Sequence, residues 1–395
     1  MKANELQVAV DVGARMHRVA VGNGSGQLVA EFDLAHTAAG LAGFFTRIER
    51  LRGSRSAPVA VAMEGFNGWA RPLDRQVLDH GWKLYNVNNL KLARYKEIFP
   101  APAKTDAIDA RRILELFRLR GDLAIARGVL QEIVATTEEA ERLKRLTRRR
   151  RQLVNEKVRV LNRMHSDLQA VCPGLLAITA EADNLWFLSL LGAREDIRRL
   201  AGLRPTSLLA LEGVGRAYCA KIQAWQCEAL FSHEAEWAGP MIVADARRVL
   251  ALKREIAALD QLIEPLIDGC ETARRLRTIP GFGPTCSGEL AGEIGAIERF
   301  ATEASLALYL GMAVLDHSSG THTGTKRPRQ VNARAKAAMM TAVARHMEQV
   351  PSSRAYYDKK RAQGKAHNQA IRALGRQLVR VIWSMLKHQR DYEVR

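Results

Sequence analysis

The chain opens on a run in which Leu6, Val8, Val10 and Val12 recur at every second position and stop at Gly13, the period of a half-buried strand. Arg18 to Val21 repeats the pattern. Asn23-Gly24-Ser25-Gly26 then supplies residues that tolerate positive φ, so the spacing predicts a hairpin into a third strand, Gln27 to Asp33. Helical spacing covers Thr37 to Leu51, and a short apolar run, Pro58 to Met63, ends on Glu64-Gly65 as a buried strand does. A helix over Trp69 to His80, a strand over Lys83 to Val87 and a helix from about Thr105 to Leu119 follow.

Beyond this point the period stays helical. No Gly or Pro interrupts Glu132 to Ala170, which predicts one long helix. Its Leu143, Leu146, Leu153, Val160 and Met164 lie near heptad spacing, with Arg150 and Lys157 breaking the seam. A second seam runs through Val249, Leu252, Ile256, Leu259, Ile263 and Leu266, and Pro265 is expected to kink or end it. The two predict an antiparallel coiled coil, within the chain or between subunits, with a helical insertion at about 171–240. Pro280-Gly281-Phe282-Gly283-Pro284 then predicts the turn of a helix-hairpin-helix, whose backbone N–H groups at Gly281 and Gly283 suit a nucleic-acid phosphate. A plain tight connector has the same pattern. After an apolar helix (Ser305 to Leu310) come the turn His317-Ser318-Ser319-Gly320, a basic Lys326-Arg327-Pro328-Arg329, a helix over Asn332 to Met347, and a last helix with Ile371, Leu374, Leu378, Ile382 and Leu386 on one face. Three regions are expected: 1–125, 126–270 and 271–395.

Charge adds a partner to this outline. The net charge is +18 over 395 residues, and such an excess favours a polyanion, because phosphates release counterions when Lys and Arg neutralise them. Residues 326–395 hold 17 Lys and Arg against 4 Asp and Glu, and a second cluster contains Arg148-Arg149-Arg150-Arg151. Arg148, Arg149, Arg150, Lys326, Arg327 and Arg329 are therefore candidate nucleic-acid contacts, with Lys91, Arg94, Tyr95 and Lys96 as a further basic approach; a solvated face is the alternative for each run. The five cysteines lack metal-ligand spacing and read as buried thiols of a reducing compartment. With no signal peptide and no membrane-length apolar run, a cytoplasmic protein is expected.

Three antiparallel strands followed by α, β, α, β, α is the order of a ribonuclease-H-like fold, and it gives four acids a common meaning. Asp11 lies on the first strand, Glu64 ends the fourth, and Asp106 and Asp109 are three apart on one helix and share a face. Carboxylate oxygens so gathered suit hard cations that clamp a phosphoryl displacement. Each acid also has an ordinary explanation, since an Asp in a first helical turn complements the macrodipole, and Asp-Val-Gly occurs in sugar-kinase-type ATPases. Val10-Asp11-Val12-Gly13, Met63-Glu64-Gly65 and Lys104-Thr105-Asp106-Ala107-Ile108-Asp109-Ala110 together resemble the DEDD transposases of bacterial insertion sequences, whose first domain is RuvC-like. The Pro-Gly-x-Gly-Pro turn, Tyr309-Leu310-Gly311 and Ser318-Ser319-Gly320, in this order, resemble the same family's mostly α C-terminal transposase domain.

The resemblance implies Mg²⁺ at Asp11, Glu64, Asp106 and Asp109, and a serine nucleophile at Ser318. A family member commonly has a second glycine after the motif, where this chain has Thr321-His322-Thr323-Gly324, so Ser318 and Ser319 both stay candidates. It further implies double-stranded DNA as substrate, a non-coding guide RNA, and a dimer or tetramer holding two duplexes. The expected activity is cutting and rejoining of DNA; a water-using junction nuclease and a non-catalytic nucleic-acid scaffold are the alternatives.

Overall fold

The computed structural model describes residues 5–393 except 55, 65–69, 88–91, 94, 96, 98–105, 124–127, 321–323, 327, 329 and 330, and the side chains of 106 and 107. The chain divides into two compact units, Met1–Ala135 and Thr136–Arg395.

The first unit is a six-stranded sheet with helices. Its elements are β1 (Leu6–Asp11), β2 (Met16–Gly22), β3 (Leu28–Ala35), α1 (Ala38–Leu51), β4 (Val59–Met63), α2 (Arg71–Asp79), β5 (Lys83–Val87), α3 (Asp106–Asp122) and β6 (Leu130–Glu132). The strand order is β3-β2-β1-β4-β5-β6. β1 pairs antiparallel with β2 and parallel with β4, so it is central. Asn23 makes the first turn, its Oδ1 accepting from the N–H groups of Ser25 and Gln27, with Gly26 at φ +80°. Thr37 caps α1 by accepting from the Gly40 N–H. The pleat sends β1 side chains to two different faces. Val8 and Val10 pack with Phe44 and Ile48 of α1, while Ala9, Ala20, Ala60 and Ala62 face Ala110, Ile113 and Phe117 of α3. The alanine face lets α3 lie close to the sheet.

The second unit is helical. Thr137 caps α4 (Glu138–Val171), a single 34-residue helix as its uninterrupted sequence predicts. Four short helices follow, α5 (Pro173–Ala177), α6 (Leu185–Leu191), α7 (Pro205–Leu209) and α8 (Arg216–Cys227), and then α9 (Gly239–Gly269). α9 returns along α4 within the same chain. The Arg150–Asp260, Glu156–Arg248 and Arg163–Asp245 pairs fix the direction as antiparallel, because partner numbers fall along one helix as they rise along the other. Pro265 does not end α9, which runs on to Gly269. The short helices and the far ends of the pair enclose one apolar core, including Met164, Trp186, Phe187, Ile222 and Val249. The near ends of the pair join a second core with α10 (Glu271–Arg277), α11 (Pro284–Ile294), α12 (Glu303–Tyr309), α13 (Ala333–Gln349), α14 (Pro351–Ala362) and α15 (His367–Lys387). The boundary expected near residue 270 thus falls inside one core. A two-stranded ribbon, β7 (Leu315–Asp316) and β8 (Thr325–Lys326), stands between α12 and α13. Among the described residues no helix is long and apolar enough to cross a membrane. The cysteines are free; Cys172, Cys219 and Cys270 are buried as expected, whereas Cys227 is exposed at the end of α8.

Candidate active site

Asp11 is two residues beyond Ala9, so the strand alternation puts it on the alanine face at the carboxyl end of β1, and Glu64 directly follows the carboxyl end of the parallel neighbour β4. α3 packs across this face and carries Asp109 next to the buried Ala110. Asp109 is 6% exposed, with the Arg112 guanidinium 3.6 Å from its Oδ1. Asp106 lies three residues earlier in α3, so both project from one side of the helix. Its side chain is outside the described residues, and among those described no three His, Cys, Asp or Glu side chains meet closely enough to hold a metal ion.

An ion pair also joins α3 to the edge strand on the same face of the sheet. Arg111 grips Glu31 of β3 with both nitrogens, at 2.5 and 2.6 Å, and Arg18 of β2 reaches Glu31 and Asp33 at 3.7 and 3.0 Å. The hydrogen bonds from Arg111 hold the Glu31 carboxyl below its ordinary value. Tyr95 of the basic approach donates its hydroxyl to Glu115 at 2.9 Å, and burial with that bond pushes the phenol up to about 12. Lys91, Arg94 and Lys96 lie outside the described residues.

Ser318 sits in the second unit, at the exposed end of the ribbon. The register Leu315–Lys326 and Asp316–Thr325 is continued by a 2.8 Å bond from the His317 N–H to the Gly324 carbonyl, and Ser318, Ser319 and Gly320 beyond it are all exposed. Gly320 has φ +56°, the left-handed region that favours glycine.

The stems of this ribbon are fastened at its base. The Asn332 N–H donates to the Tyr309 carbonyl at 2.9 Å, and its side-chain amide to the Tyr309 hydroxyl and to Glu293, both at 2.7 Å. Glu293 is fully buried and held by Arg148 through two bonds of 2.6 and 2.9 Å. Burial raises the Glu293 carboxyl, but Arg148, with help from Asn332 and Lys144, outweighs it and leaves the group below its ordinary value. Asn332 also caps α13, its Oδ1 accepting from the Arg334 and Ala335 N–H groups. Sequence pattern gives no sign of this base, because Arg148 and Glu293 are 145 residues apart.

Comparison with known proteins decides the family. A DEDD transposase model of the IS110 type matches residues 8–173, and a model described as "Transposase IS116/IS110/IS902 family" matches residues 273–358. The chain belongs to the DEDD transposases of insertion sequences. It is 27% identical to a 42 kDa protein of insertion element IS900 from Mycobacterium paratuberculosis, over 99% of this chain and 98% of that one. It is 29% identical to a 44.8 kDa protein of IS116 from Streptomyces clavuligerus, over 79% and 78%. A putative transposase for the IS117 mini-circle of Streptomyces coelicolor is 25% identical, over 92% and 90%.

In this transposase much of the arginine run is engaged in ion pairs within the chain. Arg148 holds Glu293, and Arg150 holds Asp260 at 2.5 and 3.1 Å. Arg151 holds Glu289, which is 2% exposed. Successive residues on α4 point about 100° apart, so the run distributes itself between α9 and α11 and leaves Arg149 exposed. Arg148 and Arg150 thus each brace α4 against a neighbouring helix. The two glycines of the turn have unlike surroundings. Gly281 (φ +83°) packs so tightly on α13 that an added Cβ would lie 2.3 Å from the His346 backbone nitrogen, and His346 Nδ1 meets the Pro280 carbonyl at 2.7 Å. Only on the Gly283 side is there open space. Lys326 is exposed on β8, and Arg327 and Arg329 lie outside the described residues.

Proposed function

We propose that the transposase cuts and rejoins double-stranded DNA through a serine ester formed at Ser318, with Asp11, Glu64, Asp106 and Asp109 as a divalent-metal site of a ribonuclease-H-like domain. The observation that carries this is the register: strand alternation sends Asp11 to the face across which α3, with Asp109, packs, and Glu64 directly follows the parallel neighbour β4. The sheet order, with β1 central and parallel to β4, supports the ribonuclease-H-like assignment.

The donor set is all carboxylate, without thiolate or imidazole, and fits a hard cation such as Mg²⁺. Bound there, the ion supplies Lewis-acid polarisation of a phosphoryl oxygen. The Ser318 Oγ attacks phosphorus, a Ser–O–P bond forms, one ester P–O bond breaks, the serine proton passes to solvent and the leaving hydroxyl takes one up. The ester conserves the bond for the reverse transfer to a second DNA end. Gly320 lets the backbone turn sharply beside the nucleophile, and the Tyr309–Asn332–Glu293 base fixes where the ribbon starts. A homo-oligomer holds the two duplexes that rejoining requires, and a non-coding guide RNA selects them; the basic surface supports both polyanions.

The test is adduct trapping with labelled element-junction DNA, Mg²⁺ and RNA transcribed from the element ends, each added or omitted. Wild type and Ser319→Ala are expected to give a protein–DNA adduct on a denaturing gel, and Ser318→Ala and Asp11→Ala none. Cleavage without an adduct, surviving Ser318→Ala, establishes a water-using nuclease instead.

A further inference from the structure

The C-terminal core carries a cleft that the proposed chemistry does not use. It encloses about 690 Å³ between the end of α12, β8 and the helices α13, α14 and α15. Its cations come from four different elements: Lys326 of β8, Lys336 of α13, Lys360 of α14, Lys365 just after α14, and Arg372 and Arg376 of α15. None of its described lining residues is acidic. Arg376 is tied to Glu303 of α12. Tyr356 adds an aromatic wall, with the Lys360 ammonium 5.3 Å from its ring centre. Cations of one sign repel, and converging them from four elements into a concavity is costly unless an anion is there to be met.

The position of the cleft narrows the ligand. Lys326 and Thr325 line it, and they are the register partners of Leu315 and Asp316 on the strand leading to Ser318. Two residues of chain and one strand pairing separate Ser318 from this wall, a reach of at most about 13 Å. A nucleic-acid strand places a phosphate every ~3.4 Å along a duplex, so a strand presented to Ser318 reaches the cleft within a few nucleotides.

We propose that this cleft is the seat of the DNA backbone flanking the phosphodiester that Ser318 attacks, with Lys336, Lys360, Lys365 and Arg372 as phosphate-positioning residues. This rests on the serine reading above and adds the strand's path to it. DNA is favoured over RNA because the cleft shares β8 with the serine strand.

The experiment measures binding of the full-length transposase to labelled element-end DNA, and to RNA of the same sequence, across a salt series. Lys336→Gln/Lys360→Gln/Lys365→Gln is compared with wild type and with Lys359→Gln, which is exposed on α14 outside the cleft. Three lost phosphate contacts are expected to reduce the slope of log affinity against log salt by about 3, and Lys359→Gln to leave it unchanged. Lys365→Glu alone, at an exposed position, repeats the test without burdening the fold and is expected to weaken DNA binding about tenfold or more. An unchanged DNA slope in both variants, or a loss confined to RNA, overturns the proposal. The serine reading fails separately, by absence of the wild-type adduct, and the binding arm still reports on the cleft in that case.

Discussion

The two places to which the proposed chemistry of this transposase is assigned are built in opposite ways. The acids of the first unit lie at strand ends and on a helix, with Asp109 buried and α3 packed by its apolar face on the sheet. Ser318 stands exposed on a ribbon whose strands are two residues each, and everything rigid about it is at the base. Carboxylates that gather a cation need fixed mutual distances, which regular elements provide. A nucleophile that meets a large polyanion needs access instead, and on the proposed reading Ser318 leaves its precision to the stems. The contrast teaches that damage at the two sites propagates differently: directly at the acids, and through Glu293 and Asn332 at the serine.

The sharpest way to break the comparison is at the reacting groups. Ser318→Ala is expected to abolish the adduct, a loss of about a thousandfold or more. Asp109→Asn lowers strand cleavage by about 10²- to 10³-fold with DNA affinity nearly unchanged. Denaturing-gel cleavage rates beside equilibrium binding check both, and Asp109→Asn at full rate removes the acids from the mechanism. Next comes the base of the ribbon. Arg148→Ala leaves a fully buried carboxylate without its main partner and is expected to cost about 3–5 kcal/mol, read as a shift in urea midpoint. If Arg148 were instead a DNA contact, the variant would keep its stability and lose salt-dependent affinity.

A smaller pair of effects separates the two glycines. Gly281→Ala combines a positive φ with overlap on the His346 backbone and is expected to destabilise by about 2 kcal/mol or more. Gly283→Ala meets open space and is expected to stay within about 0.5 kcal/mol, so any loss of DNA affinity it shows reports on phosphate contact. The least is a pH effect. Glu293 titrates in the fold below its ordinary 4.5. Its contribution to stability is therefore present above about pH 5 and lost as pH falls from 4.5 through the lower folded value. Urea midpoints at pH 7 and pH 4 are expected to differ more in wild type than in Glu293→Gln.

Much of this architecture is legible in the residues, and for physical reasons. The alternation at Leu6, Val8 and Val10, the Asn23 turn and the Thr37 cap are local signals, and the strands and helix they announce form within two residues of the expected bounds. β6 is not announced, since three residues carry no period, and only pairing with β5 makes them a strand. The ribbon at Ser318 reads as a plain turn for the same reason. The ion pairs of the arginine run are not legible because charge along a helix says nothing of what faces it. Arg148, Arg150 and Arg151 meet Glu293, Asp260 and Glu289, acids 110 to 145 residues away that only the fold brings near. Likewise nothing local in the sequence announces that α13 packs against Gly281.

The paired helices α4 and α9 have a consequence as a ruler. Each contributes its ends to different cores, and at 1.5 Å per residue the 34-residue α4 measures about 50 Å. Removing one heptad from each, in register, would bring the two cores about 10 Å nearer while leaving both intact. The span of the second unit is thus written in helix length alone, and can be reset in steps of seven residues.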